Sequence, residues 1–553
     1  MKLLSTLTVL ALATAADAQV ASAILREGDT VPGFPTHTIT SLGNTASNAG
    51  GLSACGLNAS DGSTTFAHIW VGLGATGAIA RTESTIGNLQ QLSFESFFGV
   101  SGTASVAYSP SCTNIVTGAT GLDGVWLDDT VVAIEDDPIP SLPGKIWRFG
   151  SRPGVTTNDL VYWVGGIDDA VTGSSEGGGL FFTDGVTETA AVITGDVIAG
   201  LPPLDGNGID FDVRFAPNGQ SWIGGLDTSD LSTADYVCAI GDVASGVVTP
   251  ITAGGGMWKE AEPMTAAQGG LPGENWDNFD LFGLNDSGSF MITGDTDGPL
   301  ATDEFLAVDG VIRYREGDVV DGYTLTGAIE GAYLANDGQV AYVWDVLVAG
   351  VSREALFLDD RLLLKQDDLV DFDGDGFVES DSVVGGFTGI TALSSSSDGH
   401  IAFIADINVG GVLREGYFVL DYQCLKADVY SLSVAAGGSQ VLSIDAGPAH
   451  AGEGYVVVGS VTGTTPGIPF SGVLIPLNLD GYFNSTLAQA NSPGYMMSLG
   501  LLDAQGRATA TLTVPAGAPI PAGLTVHHAF VTFTLSPLDL TKASGPVSLI
   551  TFP

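Results

Sequence analysis

Residues 371–382 form an acidic segment whose residue types and spacing suit a divalent cation. Carboxylates stand at its first, third, fifth and ninth positions, a glycine at the sixth allows a sharp turn, and a main-chain carbonyl is available at the seventh. Calcium takes about six to eight hard oxygen ligands, and calcium loops of the EF-hand or dockerin type use this spacing. The predicted ligands are Asp371, Asp373, Asp375, the Phe377 carbonyl, Glu379, Asp381 and Ser382.

The segment departs from that pattern at its twelfth position, where Ser382 replaces the usual bidentate acid and Asp381 comes one residue early. Helices are also not expected on both sides of it. Two interpretations therefore remain open. Either a calcium ion fixes this loop between strands, or the segment is a solvated acidic turn.

A long insertion contains Trp258, Trp276 and Asp277. Tryptophan beside carboxylates suits stacking against the face of a sugar ring, so this insertion is a candidate ligand loop. The alternative is that the insertion packs over the rim of the domain.

Acidic clusters elsewhere could serve as the acid and base of a glycosidase, which needs two carboxyl groups about 5 to 9.5 Å apart. The chain has 63 acidic residues, so clusters also arise by chance, and none is assigned a catalytic role. No spacing typical of a metalloprotease or serine hydrolase accompanies the six histidines. The clusters are Asp205 with Asp210 and Asp212, Glu274 with Asp277 and Asp280, and Asp295 with Asp297.

The charge balance restricts the partners. Acidic residues number 63 against 17 basic ones, for a formal net charge of -46. Nucleic acids and anionic lipids require clustered lysine and arginine, so neither is expected to bind. Cations, basic proteins and neutral sugars remain, and the charge alone is also compatible with a role only in solubility.

A repeat of roughly 50 to 70 residues dominates the chain up to residue 423. Each copy ends in an apolar strand, an Asp or Gly turn, a second apolar strand and a Gly-Asp or Asp-Asp step, which predicts a β-hairpin. The clearest copies are Phe305–Asp318 and Ala355–Asp368. Looser copies cover residues 69–83, 125–136, 180–196 and 236–242.

The repeat is split between the two ends of this region. Residues 23–29 contain only the second half of a hairpin, and residues 417–421 contain only a first half. Pairing these two strands would close a ring, as β-propellers do to leave few exposed sheet edges. We therefore predict an all-β fold in which residues 19–423 form a seven-bladed β-propeller. A β-solenoid, or six or eight blades, is the alternative.

The flanking segments have different patterns. Residues 424–553 contain short alternating strands separated by Gly and Pro turns, which predicts a β-sandwich. Residues 1–18 have the charged start, apolar core and small-residue end of a secretory signal, with cleavage after Ala18 or, alternatively, after Ala23. An uncleaved signal acting as an anchor is a further alternative. No other segment is expected to span a membrane, so the mature protein is predicted to be secreted or surface-associated.

Export permits disulfides, and the chain has four cysteines. In the register of the repeat, Cys55 and Cys112 fall on equivalent strands of neighbouring units, so this pair is the candidate disulfide. Cys238 and Cys424 fall in distant units. The alternative is that all four are small buried side chains.

The Asn-x-x-Gly-x-x-x-aromatic step and the Arg-Glu-Gly-Asp step together resemble the tandem-repeat modules of bacterial secreted choice-of-anchor proteins. The resemblance covers residues 24–423, and Ser396 replaces the Asn in the copy before Gly399. Residues 472–483 and 501–506 resemble C-terminal domains of exported planctomycete proteins. The best-matching positions are Asn48, Gly51, Asn285, Gly288, Arg26–Asp29 and Arg315–Asp318.

This resemblance implies a location and an architecture but little chemistry. The expected function is that of a secreted, non-enzymatic surface or matrix protein that binds a glycan or protein through its propeller. A secreted glycan-active hydrolase with its site at the channel mouth is the alternative. In a third interpretation the sandwich is an attachment module and the propeller its cargo.

Overall fold

The structure is a computed structural model. It describes residues 21–73, 76–206, 213–230, 235–374, 379–388, 393–395, 400–421, 424–447, 450–464, 467–470, 473–504, 506–521, 523–535, 538–544 and 546–552. The chain divides into two compact units, one of residues 21–422 and one that begins at residue 423. Both are built from β-strands, with one α-helix among the described residues.

The first unit contains seven antiparallel sheets, I to VII, each of four or five strands. Sheets I to III follow one another along the chain. Sheet I contains β2 (Thr38–Ser47), β3 (Leu52–Ser60), β4 (Thr65–Leu73) and β5 (Thr76–Thr82). Sheet II contains β6 (Thr85–Ile86), β7 (Leu89–Val100), β8 (Val106–Asn114), β9 (Thr120–Leu127) and β10 (Thr130–Ile134). Sheet III contains β11 (Lys145–Val155), β12 (Val161–Asp169), β13 (Ser175–Thr183) and β14 (Glu188–Ile193).

Sheets IV to VII continue this order. Sheet IV contains β15 (Val213–Phe215), β16 (Ser221–Asp227), β17 (Tyr236–Asp242) and β18 (Val248–Pro250). Sheet V contains β19 (Trp276–Leu284), β20 (Phe290–Thr296), β21 (Phe305–Val308) and β22 (Val311–Arg315). Sheet VI contains β23 (Val319–Val320), β24 (Tyr323–Leu334), β25 (Val340–Val348), β26 (Val351–Leu358) and β27 (Arg361–Lys365). Sheet VII contains β28 (Ser382–Phe387), β29 (Leu393–Ser395), β30 (His400–Val409), β31 (Val412–Asp421) and β1 (Ala21–Arg26).

Sheet VII joins the two ends of the unit. Strand β1 pairs antiparallel with β31, with Ala21 opposite Leu420 and Arg26 opposite Gly416. The split hairpin of the sequence thus pairs in the way the repeat predicts, and the N-terminal segment supplies the outer strand of the last sheet.

The aspartates of the hairpin turns explain one part of the repeat. Asp309 has φ 51° and is followed by Gly310 at φ 81°, which is the positive-φ pair that a two-residue hairpin requires. The Asp309 carboxylate also accepts the N–H of Phe290, the first residue of β20. Asp128 and Asp359 have positive φ and accept the equivalent N–H groups of β8 and β25. Each aspartate therefore fixes the hairpin onto the preceding strand of its own sheet.

The Glu-Gly-Asp step of the repeat marks a main-chain hydrogen bond between two strands of one sheet. In each sheet a residue that follows the outer strand donates its main-chain N–H to a carbonyl in the first half of the neighbouring strand or just before it, although in sheet IV the donor Glu260 comes ten positions after β18. The next residue usually has positive φ, as in Gly28, Gly195 and Gly317, which is why glycine recurs there. The seven bonds run from Glu27 to Glu415, Glu83 to Ala67, Glu135 to Asp123, Thr194 to Gly178, Glu260 to Tyr236, Glu316 to Glu304 and Gln366 to Glu354.

Neighbouring sheets are linked by apolar clusters and by their turns. One cluster packs Met291 and Leu306 of sheet V against Tyr342 and Phe357 of sheet VI. The turns that follow β2, β7, β11, β15, β19 and β24 also hydrogen-bond from sheet to sheet. These bonds run from Asn48 to Ser101, Gly102 to Thr157, Thr157 to Pro217, Asn218 to Asp286 and Asp286 to Asn336.

The second unit contains two larger sheets. Sheet VIII contains β32 (Leu425–Ala427), β34 (Gly438–Asp445), β38 (Tyr495–Met496) and β40 (Arg507–Val514). Sheet IX contains β33 (Ser431–Ser433), β35 (Gly454–Ser460), β39 (Leu499–Leu501), β41 (Thr525–Leu535), β42 (Leu538–Ala543) and β43 (Val547–Phe552). A separate pair is formed by β36 (Ile468–Phe470) and β37 (Val473–Ile475). Helix α1 (Gly481–Ala488) begins after Asp480, whose carboxylate accepts the Phe483 N–H as an N-cap.

The β1 pairing can be tested by truncating Leu25, which lies in β1 and is 3% exposed. Leu25→Ala leaves a cavity and is expected to lower the free energy of unfolding by about 2 to 5 kcal/mol in urea titrations. The control is Leu413→Ala on β31, because Leu413 is 60% exposed. That control is expected to change stability by about 0.5 kcal/mol or less. Equal effects of the two substitutions would contradict the burial of β1.

Candidate functional site

Three carboxylates of the predicted cation loop lie together. The ligand atoms of Asp371, Asp373 and Glu379 lie within 4.8 Å of one another. Asp371 is fully buried, Glu379 is half-buried and Asp373 is exposed. Carboxylate oxygens at this separation can coordinate one metal ion between them.

The main chain holds this cluster against β1. The Asp371 N–H donates to the Ala21 carbonyl at 3.1 Å, and the Asp371 carbonyl accepts the Ala23 N–H at 2.9 Å. Within the loop, Asp371 Oδ1 accepts the Gly374 N–H at 2.7 Å, and Glu379 Oε2 accepts the Phe372 N–H at 2.7 Å. The cluster therefore lies at the strand that joins the two ends of the unit.

The other predicted ligands have different positions. Asp375 and Phe377 lie outside the described residues. Ser382 is buried and begins β28, where it pairs with Val409. Asp381 is exposed, and its carbonyl accepts the Gly410 N–H at 3.0 Å. The described cluster thus consists of three of the seven predicted ligands.

The two tryptophans of the candidate ligand loop are core residues. Trp258 and Trp276 are 0% and 1% exposed and stack on each other with ring centroids 4.1 Å apart. They pack with Phe279 and Phe305 in one apolar cluster. Neither ring is available to stack on a sugar. The prediction that Trp258 and Trp276 contact a ligand is therefore wrong. Asp277 is exposed on β19.

The predicted Cys55–Cys112 disulfide is absent from the structure. No disulfide joins Cys55 to Cys112, and all four cysteines are buried. Cys55 lies in a cluster with Trp70 and Tyr417, whereas Cys112 packs with Tyr108 and Trp126 in another. Equivalent positions in two sheets therefore face different cores, and the four residues behave as small apolar side chains.

The acidic clusters have structural partners. Glu274 is buried and forms a two-pronged ion pair with Arg315 at 2.7 and 3.1 Å. Asp297 accepts the N–H of Asn275 at 2.8 Å. In the predicted cluster of Asp205, Asp210 and Asp212, the Asp205 carboxylate accepts the Gly206 N–H. Asp210 and Asp212 lie outside the described residues.

Asp295 lies instead beside Glu304, with a hydrogen bond between the two side chains. Burial, and then the charge of Asp295, raise the pKa of Glu304 to about 9, and burial also raises the pKa of Asp295. Glu304 Oε1 further accepts the Ile329 N–H of sheet VI at 3.3 Å. Glu304 therefore connects two sheets as a protonated carboxyl group near neutral pH.

A cavity of about 120 Å³ lies where all seven sheets meet. Its wall includes residues of β2, β7, β11, β15, β19, β24 and β29, which belong to seven different sheets and which we call the lining strands, together with Tyr162 of β12. Tyr333 on β24 donates a hydrogen bond at 3.4 Å to the Ser47 carbonyl on β2. A smaller cavity of about 50 Å³ shares Arg214, Phe282 and Tyr333 with the first.

Two glycines shape this cavity. A Cβ on Gly99 would lie 2.6 Å from the Val155 nitrogen, so glycine allows β7 and β11 to approach closely. A Cβ on Gly154 would lie 2.1 Å from the ring of Tyr162, which therefore lies directly over that glycine. Tyr162 lies on β12 and also forms part of the wall.

The chemistry of the wall is that of hydrogen-bond donors and aromatic rings. Arg152 and Arg214 line the cavity together with Tyr162 and Tyr333. No aspartate, glutamate or histidine is among the described residues of the wall. Sequence reasoning missed both arginines, because no local motif marks either of them.

Comparisons with known proteins found no matching family model and no matching curated protein. Among solved structures, the β-propeller domain of the Trilobed protease from Pyrococcus furiosus is 11% identical, with 69% of this chain and 95% of that chain covered and a TM-score of 0.34. Oligogalacturonate lyase from Vibrio parahaemolyticus is 10% identical, with 68% of this chain and 98% of that chain covered and a TM-score of 0.29. Regucalcin, a calcium-binding protein from Agrobacterium tumefaciens, is 10% identical, with 62% of this chain and 95% of that chain covered and a TM-score of 0.24.

These likenesses are too weak to bear on function. The strand pairing itself defines the class: the first unit is an all-β protein of the β-propeller type, built of successive antiparallel sheets. Within the described chain, no helix has the length and apolar character needed to cross a bilayer.

The raised pKa of Glu304 predicts a pH-dependent stability. Its pKa is higher in the folded protein than the ordinary value of 4.5, so the folded state binds more protons between about pH 4.5 and 9. The contribution of Glu304 to the free energy of unfolding therefore falls as the pH rises across that interval. Glu304→Gln keeps an acceptor without the charge, and is expected to stabilise the protein at pH 8 more than at pH 5 in urea titrations.

The matched control is Glu262→Gln, because Glu262 is exposed. It is expected to have the same small effect at both pH values. A Glu304→Gln variant whose effect on stability does not change between pH 5 and pH 8 would contradict a protonated Glu304.

Proposed function

We propose that the protein is a secreted, non-enzymatic surface or matrix protein that binds a glycan or protein ligand in the central cavity of its propeller. The observation that carries this proposal is the wall of the cavity. Its described residues offer guanidinium, amide and hydroxyl groups with aromatic rings. Ligand pockets combine apolar and aromatic surface with a few polar groups of this kind.

The proposed architecture is a seven-bladed propeller closed by β1, followed by a β-sandwich. Its support is the count of seven sheets, the seven equivalent hydrogen bonds after the outer strands, and a cavity with one lining strand from each sheet. The sandwich is supported by an apolar cluster that joins Leu512 of sheet VIII to Leu432 and Leu549 of sheet IX.

Export and relationship belong to the same proposal. The signal-like residues 1–18 support secretion, and the Arg-Glu-Gly-Asp steps support a relationship to the choice-of-anchor repeat proteins. The planctomycete-like C-terminal segment supports an attachment role for the second unit. A glycan-active hydrolase is the alternative, and the experiment below separates it from binding.

Binding can be tested on the full mature chain with an array of glycans and peptides, with and without a cavity-filling substitution. Ala332 lies in the wall on β24. Ala332→Trp fills the cavity and is expected to abolish binding, whereas the control Ala332→Ser is expected to retain it. Ligands retained by both variants would contradict binding in the cavity. Release of new reducing ends from any glycan by the wild-type protein would contradict the non-enzymatic role.

We also propose that the three-carboxylate cluster binds calcium. Its support is the hard-oxygen ligand set of Asp371, Asp373 and Glu379, whose ligand atoms lie within 4.8 Å of one another. An ion there would fix the loop onto β1. Calcium would act on stability, since no described residue of the loop lines the cavity.

Calcium at a hundredfold excess over its Kd is expected to raise the free energy of unfolding by about 2.7 kcal/mol relative to chelator. Asp373→Asn removes one ligand charge and is expected to abolish this gain, as measured by thermal melts with calcium and with chelator. Glu262→Gln is the control, because Glu262 is exposed and lies outside the loop, and it is expected to retain the gain. A wild-type protein whose melt is the same in calcium and in chelator would contradict an ion site.

A further inference from the structure

Pairs of carboxyl groups lie between neighbouring strands in sheets V, VI and VII. In sheets VI and VII the two members of the pair occupy directly opposite positions of the strand ladder. In sheet V the two side chains share a hydrogen bond. Directly opposite residues have Cβ atoms about 4.5 to 5.5 Å apart, and like charges there are destabilising. The three carboxyl pairs are Asp295–Glu304, Asp345–Glu354 and Asp406–Glu415.

The glutamate of each carboxyl pair also bonds to the next sheet. One of its side-chain oxygens accepts a main-chain N–H from a strand of that sheet. These bonds connect sheet V to VI, VI to VII and VII to I, so they pass through the sheet that contains β1. They join Glu304 to Ile329 at 3.3 Å, Glu354 to Phe387 at 2.5 Å and Glu415 to Leu42 at 2.6 Å.

Irregular strands supply the N–H groups for these bonds. The register of β24 shifts on both sides of Ile329, and the register of β2 shifts on both sides of Leu42. In β28 a shift lies between Val384 and Gly386, just before Phe387. A bulge disrupts the ladder locally, so main-chain groups beside it need partners from elsewhere. At these three places the glutamate of the preceding sheet is the partner.

Burial favours the protonated form of all three glutamates. It is the main cause that raises the pKa of Glu304 to about 9, and it also raises the pKa of Glu354 and of Glu415. The main-chain N–H groups act in the opposite direction, because they stabilise the charged form.

The charged groups that face the glutamates are acidic and come from several strands. Each of them disfavours a second negative charge, and so adds to the effect of burial. They are Asp280 and Asp295 for Glu304, Glu330, Asp345 and Asp406 for Glu354, and Glu27 and Asp406 for Glu415; Asp277 and Asp303 act in turn on Asp295.

Asp406 connects two of the carboxyl pairs. It lies opposite Glu415 in sheet VII and also acts on Glu354 of sheet VI. Burial, and then the charge of Glu27, raise the pKa of Asp406 itself. Groups that interact in this way titrate as a set, so the loss of one proton changes the affinity for the others.

One proton allows a carboxyl pair to make both of its contacts. A protonated glutamate keeps an oxygen that accepts the N–H of the next sheet, and its O–H can donate to the aspartate. Without the proton, two negative charges face each other in a partly buried site, which opposes the contact between the sheets.

We propose that the three carboxyl pairs form a pH-sensitive latch, in which one proton held by each pair keeps sheets V, VI, VII and I in contact. The protons come from solvent, and their loss at alkaline pH loosens these contacts. Strands β2 and β24 line the cavity, so the latch also sets the pH range in which the cavity keeps its shape. No ligand takes part, and the latch is therefore independent of the proposed binding function.

The direction of the pH effect follows from proton binding. The pKa of each glutamate is higher in the folded protein than the ordinary value of 4.5, so the folded state binds more protons above about pH 4.5. The stability that the pairs contribute is complete below that pH. It is lost as the pH rises through the folded pKa, which for Glu304 is about 9.

Urea titrations of the full mature chain between pH 5 and pH 9 measure this effect. The slope of the free energy of unfolding against pH gives the number of protons taken up on folding. Glu354→Gln and Glu415→Gln keep an oxygen acceptor but do not titrate. Each is expected to lower the number of protons taken up by as much as about one. The control Glu262→Gln removes an exposed charge and is expected to leave that number unchanged.

The aspartates provide a second, independent set of variants. Asp406→Asn is expected to lower the proton uptake more than Asp345→Asn, because Asp406 acts on two glutamates and its own pKa is raised. Hydrogen–deuterium exchange at pH 6 and pH 9, corrected for intrinsic rates, locates the change. Strands β2, β24 and β28 are expected to lose protection at pH 9, whereas β12 of sheet III is expected to retain it.

Three results would overturn the latch. The first is a wild-type stability that does not fall between pH 5 and pH 9. The second is a proton uptake in the glutamine and asparagine variants equal to that of the wild type, since the fall would then come from the general negative charge. The third is a loss of protection at pH 9 that is the same in β12 as in β2, β24 and β28.

Discussion

The pairing of β1 with β31 is the constraint on which the rest of the first unit depends. A row of open sheets leaves an unpaired edge at each end, and such edges are prone to pair with other chains. Here the N-terminal segment is the outer strand of the last sheet, so the first and last parts of the repeat share one set of main-chain bonds. The acidic loop is attached to the same strand through Asp371, so an ion there would act on this joint.

The cavity is a consequence of that arrangement. Each lining strand contributes only a few side chains, and the wall is complete only when all seven sheets surround it. Local close approaches, such as that allowed by Gly99, decide its shape.

The sequence allowed the hairpins, their Asp turns and the split first hairpin to be predicted, because positive-φ positions and strand alternation act over a few residues. Asp309 and Gly310 illustrate this local chemistry. The sequence could not reveal that Arg152 and Arg214 line one cavity. These residues are 62 positions apart and come to the same cavity only through the packing of two sheets. Trp258 was misassigned for a related reason: polar neighbours in the sequence suggested exposure, yet its ring stacks on Trp276 inside the core.

Hydrogen–deuterium exchange on the full mature chain tests the central claim most directly. The account predicts that amides of β1 exchange as slowly as those of the lining strands β7 and β24, because β1 is hydrogen-bonded to β31 as the outer strand of sheet VII. Amides of β1 that exchange at the rate of an unpaired terminus, while those of β31 remain protected, would contradict this pairing.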